Sequence, residues 1–265
     1  AGPVTPTNGP AVFLLSAPRS GSTLLRAMLA GHPGLFAPPE LYLLSHQDMA
    51  DRQAWFRGPH ASQLEGLPRA VMAAFGVSAA DAAAEVAVWQ AQNLDVQEVY
   101  ARLQRAVAPR LLVDKTPFYA VHPQTLAKAE ACFDRPLYIH LTRHPYGMIR
   151  SFEEARLDQL WWPRLAGPAV TDPSPFAAHH LAELLWGQIE TTIAAFLATV
   201  DPSRHVHLRY EDLVQRPEAH GVAAVSVPQV AVAGGVAVDE VEAGGGGFGA
   251  GCRSADVHPR SRMVQ

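Results

Sequence analysis

The stretch from Ala11 to Arg26, AVFLLSAPRSGSTLLR, constrains this chain more than any other. An unbroken apolar run from Ala11 to Leu15 gives way to small residues at Ser16, Ala17 and Pro18, and helix formers resume from Leu24 to about Ala30. The pattern predicts a strand, a tight loop and a helix. Such a loop leaves backbone N–H groups unpaired at a helix start, where the macrodipole adds about half a positive charge. An anion belongs there. Gly21 lets the backbone approach a ligand, Ser22 and Thr23 add hydroxyl donors, and Arg19 supplies a fork that matches phosphate or sulfonate oxygens. A phosphate-bearing cofactor is the first expectation. The loop is not a Walker A loop, because Gly21 stands where G-x-x-x-x-G-K-[ST] needs its lysine.

Further along, HPGLFAPPE carries three prolines and a glycine and predicts no regular structure, with Glu40 at its end. From Leu41 to about Ala108 the apolar positions recur at three and four, which predicts a helical insert able to wall a substrate cleft. Three more apolar runs follow, Leu111 to Val113, Pro136 to Thr142 and His205 to Leu208. Helical patterns at Gln124–Cys132, Tyr146–Leu157 and Leu181–Val200 separate or follow them. Four strand and helix alternations predict an α/β fold of the P-loop-like, three-layer kind, a central parallel sheet flanked by helices. Every chemically suggestive cluster then falls at the carboxyl ends of strands, where such sheets bind ligands.

A chain of 265 residues can bury a full core, and one domain over 11–218 is expected after a Pro/Gly/Thr-rich linker at 1–10. The formal charge of -4, without a basic block, argues against nucleic-acid or membrane-surface partners. Cys132 and Cys252 lie far apart, so free thiols in a reducing cytoplasm are expected rather than a disulfide framework or zinc site. No run reaches about 18 apolar residues, and the first ten lack a charged segment followed by an apolar one. A soluble, unexported protein, or a domain of a longer one, is the expectation. Beyond about Ala219 the chain becomes Val, Ala and Gly with four consecutive glycines. Weak strands or a flexible tail are one account of that stretch, and a shifted reading frame is another.

A second cluster, RHPYGMIRS, closes the strand PLYIHLT: Arg143 leaves the strand end and Ser151 follows eight residues later, about two helical turns on. A guanidinium and a hydroxyl so placed suit a second phosphate, so the two clusters together describe a cofactor with two anionic ends. SAPRSGSTLLR, His32-Pro33, Arg143 to Ser151 and RYEDL at 209–213 resemble the sulfotransferases that use 3'-phosphoadenosine 5'-phosphosulfate (PAPS). The likeness is nearer still to the sulfotransferase domains embedded in polyketide synthases, through GHPGLFAPPELYLL, DKTPFYAVHP, YIHLTRHPYGMIRSF and LAELLWGQIETTIAAFL. It spans about Val12 to Pro217.

That resemblance implies that Arg19, Ser20, Gly21, Ser22 and Thr23 hold the 5' end of PAPS, and Arg143 and Ser151 the 3'-phosphate. Glu40, 21 residues after Arg19, is at a spacing similar to that of the family's catalytic glutamate. His46 and His122 are the other bases to weigh. Arg19 replaces a lysine found in many relatives and is expected to act as an electrostatic clamp. Lys115 in the DKTP element is expected to assist the sulfonate with Asp114 orienting it, a strand-end ion pair being the plainer account. Trp161 and Trp162 suit either an apolar wall or the core, and Tyr210 and Asp212 are expected to pack the last strand. The resemblance further implies in-line transfer without a metal. The acceptor would be the β-hydroxyl of an acyl chain on an acyl carrier protein, with polyketide-synthase domains such as a thioesterase as neighbours. A stand-alone sulfotransferase on a metabolite, carbohydrate or peptide tyrosine is the alternative, and a nucleotide kinase or a non-catalytic nucleotide-binding domain the reading from another class. Known relatives continue past the YEDL element with a lid over the nucleotide, which nothing after Ala219 matches.

Overall fold

Strand β1 (Val12–Leu15) lies at the centre of a five-stranded sheet in a computed structural model that describes residues 8–56, 58–166 and 172–216. The other strands are β2 (Leu35–Phe36), β3 (Leu111–Asp114), β4 (Leu137–Thr142) and β5 (His205–Arg209), in the spatial order β2-β3-β1-β4-β5. All pairings are parallel, and Phe13 lies beside Asp114 on one side and Tyr138 on the other. The chain runs one way from β1 to β3 and the other way to β4, so the carboxyl end of β1 opens at the reversal point where such sheets bind ligands.

Period-2 alternation divides the core between the two faces. Val12 and Leu14 pack with Val113, Ile139 and Leu141 on one face, beneath helix α1 (Ser22–Ala30) through Leu25 and Leu29. Phe13 and Leu15 face the larger core with Leu112 and Tyr138. That side is covered by α3 (Gly66–Phe75), α4 (Ala79–Ala91), α5 (Val96–Val107), α6 (Pro123–Cys132), α7 (Pro145–Glu154) and α9 (Ala178–Leu197). The remaining helices are α2 (Met49–Trp55), α8 (Asp158–Ala166) and α10 (Tyr210–Gln215). Among the described residues no single helix is long and apolar enough to cross a membrane.

The proline-rich HPGLFAPPE segment is not wholly irregular. Leu35 and Phe36 sit between its prolines and pair with Leu111 and Leu112 as the edge strand, which needs a ladder on one side only. The insert is helical from Met49, not from Leu41: Tyr42 adopts a left-handed φ of 50°, and Asp48 caps α2 by accepting from the Asp51 amide. Among the described residues the sheet thus has five strands rather than four. Nor is all of 1–10 a free linker, since the Asn8 amide donates to the Cys132 carbonyl and its own carbonyl accepts from Asp134. The expectations for the tail after 219 concern residues outside the described ones.

The same alternation that puts Leu112 on the large-core face puts Asp114 there too. This fully buried carboxylate accepts from Tyr100 Oη at 2.5 Å, Tyr119 Oη at 2.8 Å and Thr116 Oγ1 at 3.0 Å. Burial pushes the carboxyl pKa up, and the three hydroxyl donors pull it back. Burial likewise drives both tyrosines well above the usual phenol range, so they remain donors. Asp114→Ala strands those hydroxyls in the core and is expected to cost about 2–4 kcal/mol, read by urea unfolding, whereas Asp114→Asn retains one acceptor and costs less.

Candidate active site

The anion loop forms as its residues require. Arg19 and Gly21 both take positive φ, 60° and 88°, which turns the chain sharply from β1 into α1. A Cβ on Gly21 would lie 2.3 Å from the Tyr210 ring, so only glycine fits there. No side chain caps the first turn of α1, which leaves its amides available. Ser16 and Ser20 are buried, and their hydroxyls have no hydrogen-bond partner among the described residues. Free amides and orphaned hydroxyls in one loop fit an anionic group such as a sulfated or phosphorylated terminus.

The two sequence clusters meet. Arg19 Nε donates to Ser151 Oγ at 3.0 Å, and Arg143 Nη1 donates to the Arg19 carbonyl at 2.8 Å. The Arg143 guanidinium also lies 4.4 Å from the centre of the Tyr210 ring. Tyr210 therefore supports Arg143 and Gly21 together, a larger part than packing the last strand. Its signal in the sequence was its place at the carboxyl end of β5. Behind Arg143, Trp186 Nε1 of α9 donates to the Arg143 carbonyl at 3.2 Å and fixes the strand end.

Lys115 joins the anion loop to Glu40. Its buried ammonium donates to Thr23 Oγ1 at 3.3 Å and makes a close ion pair with Glu40 Oε1. The Glu40 side chain is 35% exposed while that of Lys115 is 4% exposed, so the carboxylate stands at the mouth and the ammonium beneath it. Asp114 does not orient Lys115 through a hydrogen bond, its oxygens being taken by Tyr100, Tyr119 and Thr116.

The segment after Glu40 is clamped from both sides. Arg52, 1% exposed, donates through Nε and Nη2 to the Leu41 carbonyl and through Nε to that of Tyr42, at 2.9–3.1 Å. Burial lowers the Arg52 pKa to about 10, which leaves the guanidinium charged. On the other side Tyr119 Oη accepts from the Leu43 and Leu44 amides at 3.1 and 3.2 Å, and Thr116 Oγ1 from the Tyr42 amide at 3.4 Å. The left-handed backbone at Tyr42 is held by these contacts. Gly66 completes the clamp, since a Cβ there would come within 1.9 Å of the Glu40 carbonyl oxygen. The composition of the insert gave no sign of Arg52, a lone cation on an otherwise ordinary helix.

His46 and His122 line a cavity with Tyr42 and Phe118, and neither Glu40 nor Lys115 is part of its wall. His46 is buried beside Trp55 and Phe56, with Nδ1 3.3 Å from Asp51 Oδ2. Burial lowers its pKa to about 4 despite Asp51, so the ring is neutral near pH 7. Trp161 is core, stacked on Phe118 with ring centres 4.9 Å apart, and Trp162 is partly buried beside it.

Residues 10–222 match the model of the Sulfotransferase family. The chain belongs to that family. The chain is similar to the solved sulfotransferase domain from the curacin biosynthetic pathway, with 38% identity and a TM-score of 0.75 over 89% of this chain and 77% of that one. It is similar also to the sulfotransferase domain from the Synechococcus PCC 7002 olefin synthase, with 37% identity and a TM-score of 0.74 over 91% and 78%. The nodulation protein NoeE of Sinorhizobium fredii (strain NBRC 101917 / NGR234) is 29% identical over 218 residues, which are 78% of this chain and 46% of NoeE. The chain thus spans less than half the length of that curated relative.

The depressed His46 pKa carries a sign. An unfolded chain binds a proton at His46 near pH 6.5 and the folded chain only near pH 4, so the stability that His46 contributes is present above pH 6.5 and lost as pH falls through 4. His46→Gln is expected to flatten the loss of stability across that window by at most about 3 kcal/mol, measured by urea unfolding at stepped pH.

Proposed function

We propose that this sulfotransferase moves the sulfonate of PAPS to the β-hydroxyl of an acyl chain carried by an acyl carrier protein. The observation that carries the reading is Lys115, whose ammonium touches both the anion loop at Thr23 and the carboxylate of Glu40. A donor for the leaving charge and a base for the incoming hydroxyl are thereby held side by side. PAPS supplies a sulfonate on a phosphate leaving group, and the other parts belong to the chain. Arg19, Ser20, Gly21, Ser22 and Thr23 hold the 5' end, and Arg143 with Ser151 the 3'-phosphate. Glu40 accepts the hydroxyl proton as the oxygen–sulfur bond forms and the sulfur–oxygen bond to phosphate breaks. Lys115 and Arg19 meet the charge that gathers on the sulfonate and the released phosphate.

Two features favour Glu40 over the histidines as base. It is paired with Lys115 beside the loop, whereas His46 is buried among aromatic rings on an adjoining cavity that His122 also lines and Lys115 does not. The acceptor class rests on the two solved relatives, which come from the curacin pathway and an olefin synthase. In that setting a carrier protein and a thioesterase are the fitting partners.

Transfer of radiolabelled sulfonate from PAPS to a 3-hydroxyacyl carrier protein tests the reading directly. Labelled acyl product is expected, and label retained wholly on the nucleotide in a folded enzyme overturns it. Arg19→Ala is expected to lower kcat about a hundredfold or more, as loss of a preorganised donor does. Glu40→Gln should fall by a comparable factor. Full turnover in that variant would move the base to His122 or His46. Gly66→Ala pushes the Glu40 backbone and is expected to lower kcat while sparing nucleotide affinity, because the anion loop lies on other elements.

A further inference from the structure

We infer that the cavity shared by Tyr42, Phe56 and Phe118 takes the hydrocarbon part of the acceptor and sets the chain length the enzyme prefers, an inference that rests on the acyl acceptor proposed above. Its place follows from the chain on either side of the ion pair. Two residues beyond Glu40, Tyr42 lines both this cavity and the surface hollow that holds Glu40 and Gly66. Three residues beyond Lys115, Phe118 lines the same cavity. Tyr42 is therefore the wall common to the hollow at Glu40 and to this cavity, the path by which the carbon substituent of a hydroxyl at Glu40 would enter it.

The chemistry of the wall selects an uncharged, apolar group. Tyr42 and Phe56 meet edge to face at 5.0 Å, and Phe118 is backed by the stacked Trp161. His46 on the same wall is neutral near pH 7, so it offers no cation to a carboxylate or phosphate. Ser45, Trp55 and His122, all exposed, stand at the rim, while Phe56, His46 and Thr125 are buried behind them. The volume is about 80 Å³. An apolar cavity of about 150 Å³ holds a benzene ring, so this one suits roughly three or four carbons.

Ser45 and Trp55 at the rim allow the cavity to be narrowed and widened without touching the ion pair or the anion loop. The probes are 3-hydroxyacyl-pantetheines of increasing chain length, titrated by tryptophan fluorescence with no nucleotide present. Wild-type affinity is expected to rise about fourfold per added CH₂, the worth of a buried methylene, and to level after about four carbons. Ser45→Phe is expected to end the rise earlier, and Trp55→Ala to extend it to longer chains. An affinity indifferent to chain length in the wild type, or one profile shared by wild type and both variants, overturns the inference. Binding of 3'-phosphoadenosine 5'-phosphate is measured separately by calorimetry. Its absence would overturn the proposed function, whereas its presence with a flat chain-length profile would overturn the pocket alone. An altered circular dichroism spectrum with loss of nucleotide binding identifies a variant that has failed to fold, and the other rim variant then decides.

Discussion

The ammonium of Lys115 is the fixed point of the site. A buried cation needs a partner, and removing that partner costs several kcal/mol because the charge is left without compensation. Here the partner is Glu40, with Thr23 as a further acceptor, so three segments far apart in sequence converge on one nitrogen. The carboxylate cannot drift from the anion loop without exposing or stranding that charge. The geometry that places a base beside an anion cradle is therefore maintained by electrostatics as well as by packing.

Behind the pair stands a buried polar framework that would be costly if any member were missing. Arg52 holds the Leu41 and Tyr42 carbonyls, while Thr116 and Tyr119 hold the amides of Tyr42, Leu43 and Leu44. Tyr119 and Thr116 are in turn tied to Asp114 at the end of β3. The central sheet thereby sets the position of an irregular segment, and that segment sets Glu40. Across the crevice, Trp186 fixes the Arg143 carbonyl and Tyr210 supports the Arg143 guanidinium. Each half of the site rests on a strand end.

Much of this was legible in the residues. AVFLLSAPRSGSTLLR announces its strand, loop and helix through local period and small residues, and the RHPYGMIRS cluster announces its arginine at a strand end. Contacts within a few residues write themselves into sequence in that way. The meeting of Arg19 with Ser151 spans 132 positions and has no local signature. Asp114 reads as a site carboxylate because it adjoins Lys115, yet as the last residue of β3 it turns into the large core, where Tyr100, Tyr119 and Thr116 take its oxygens. Arg52 was invisible for the converse reason: an arginine on a helix is ordinarily a solvated cation, and only the tertiary fold reveals that this one is buried. Leu35 and Phe36 were hidden by flanking prolines, which an edge strand tolerates.

The loop around Arg19 and the pair Arg143 and Ser151 together suit a single cradle for a nucleotide with two anionic ends, and the rest of the proposed chemistry depends on that cradle. Calorimetric titration of the folded protein with 3'-phosphoadenosine 5'-phosphate tests it most directly, compared with adenosine 5'-phosphate and with the Arg143→Ala variant. The account predicts saturable binding of the bisphosphate that weakens at least tenfold both without the 3'-phosphate and without Arg143. Equal affinity for the two nucleotides, or no binding of either by a folded sample, would contradict it.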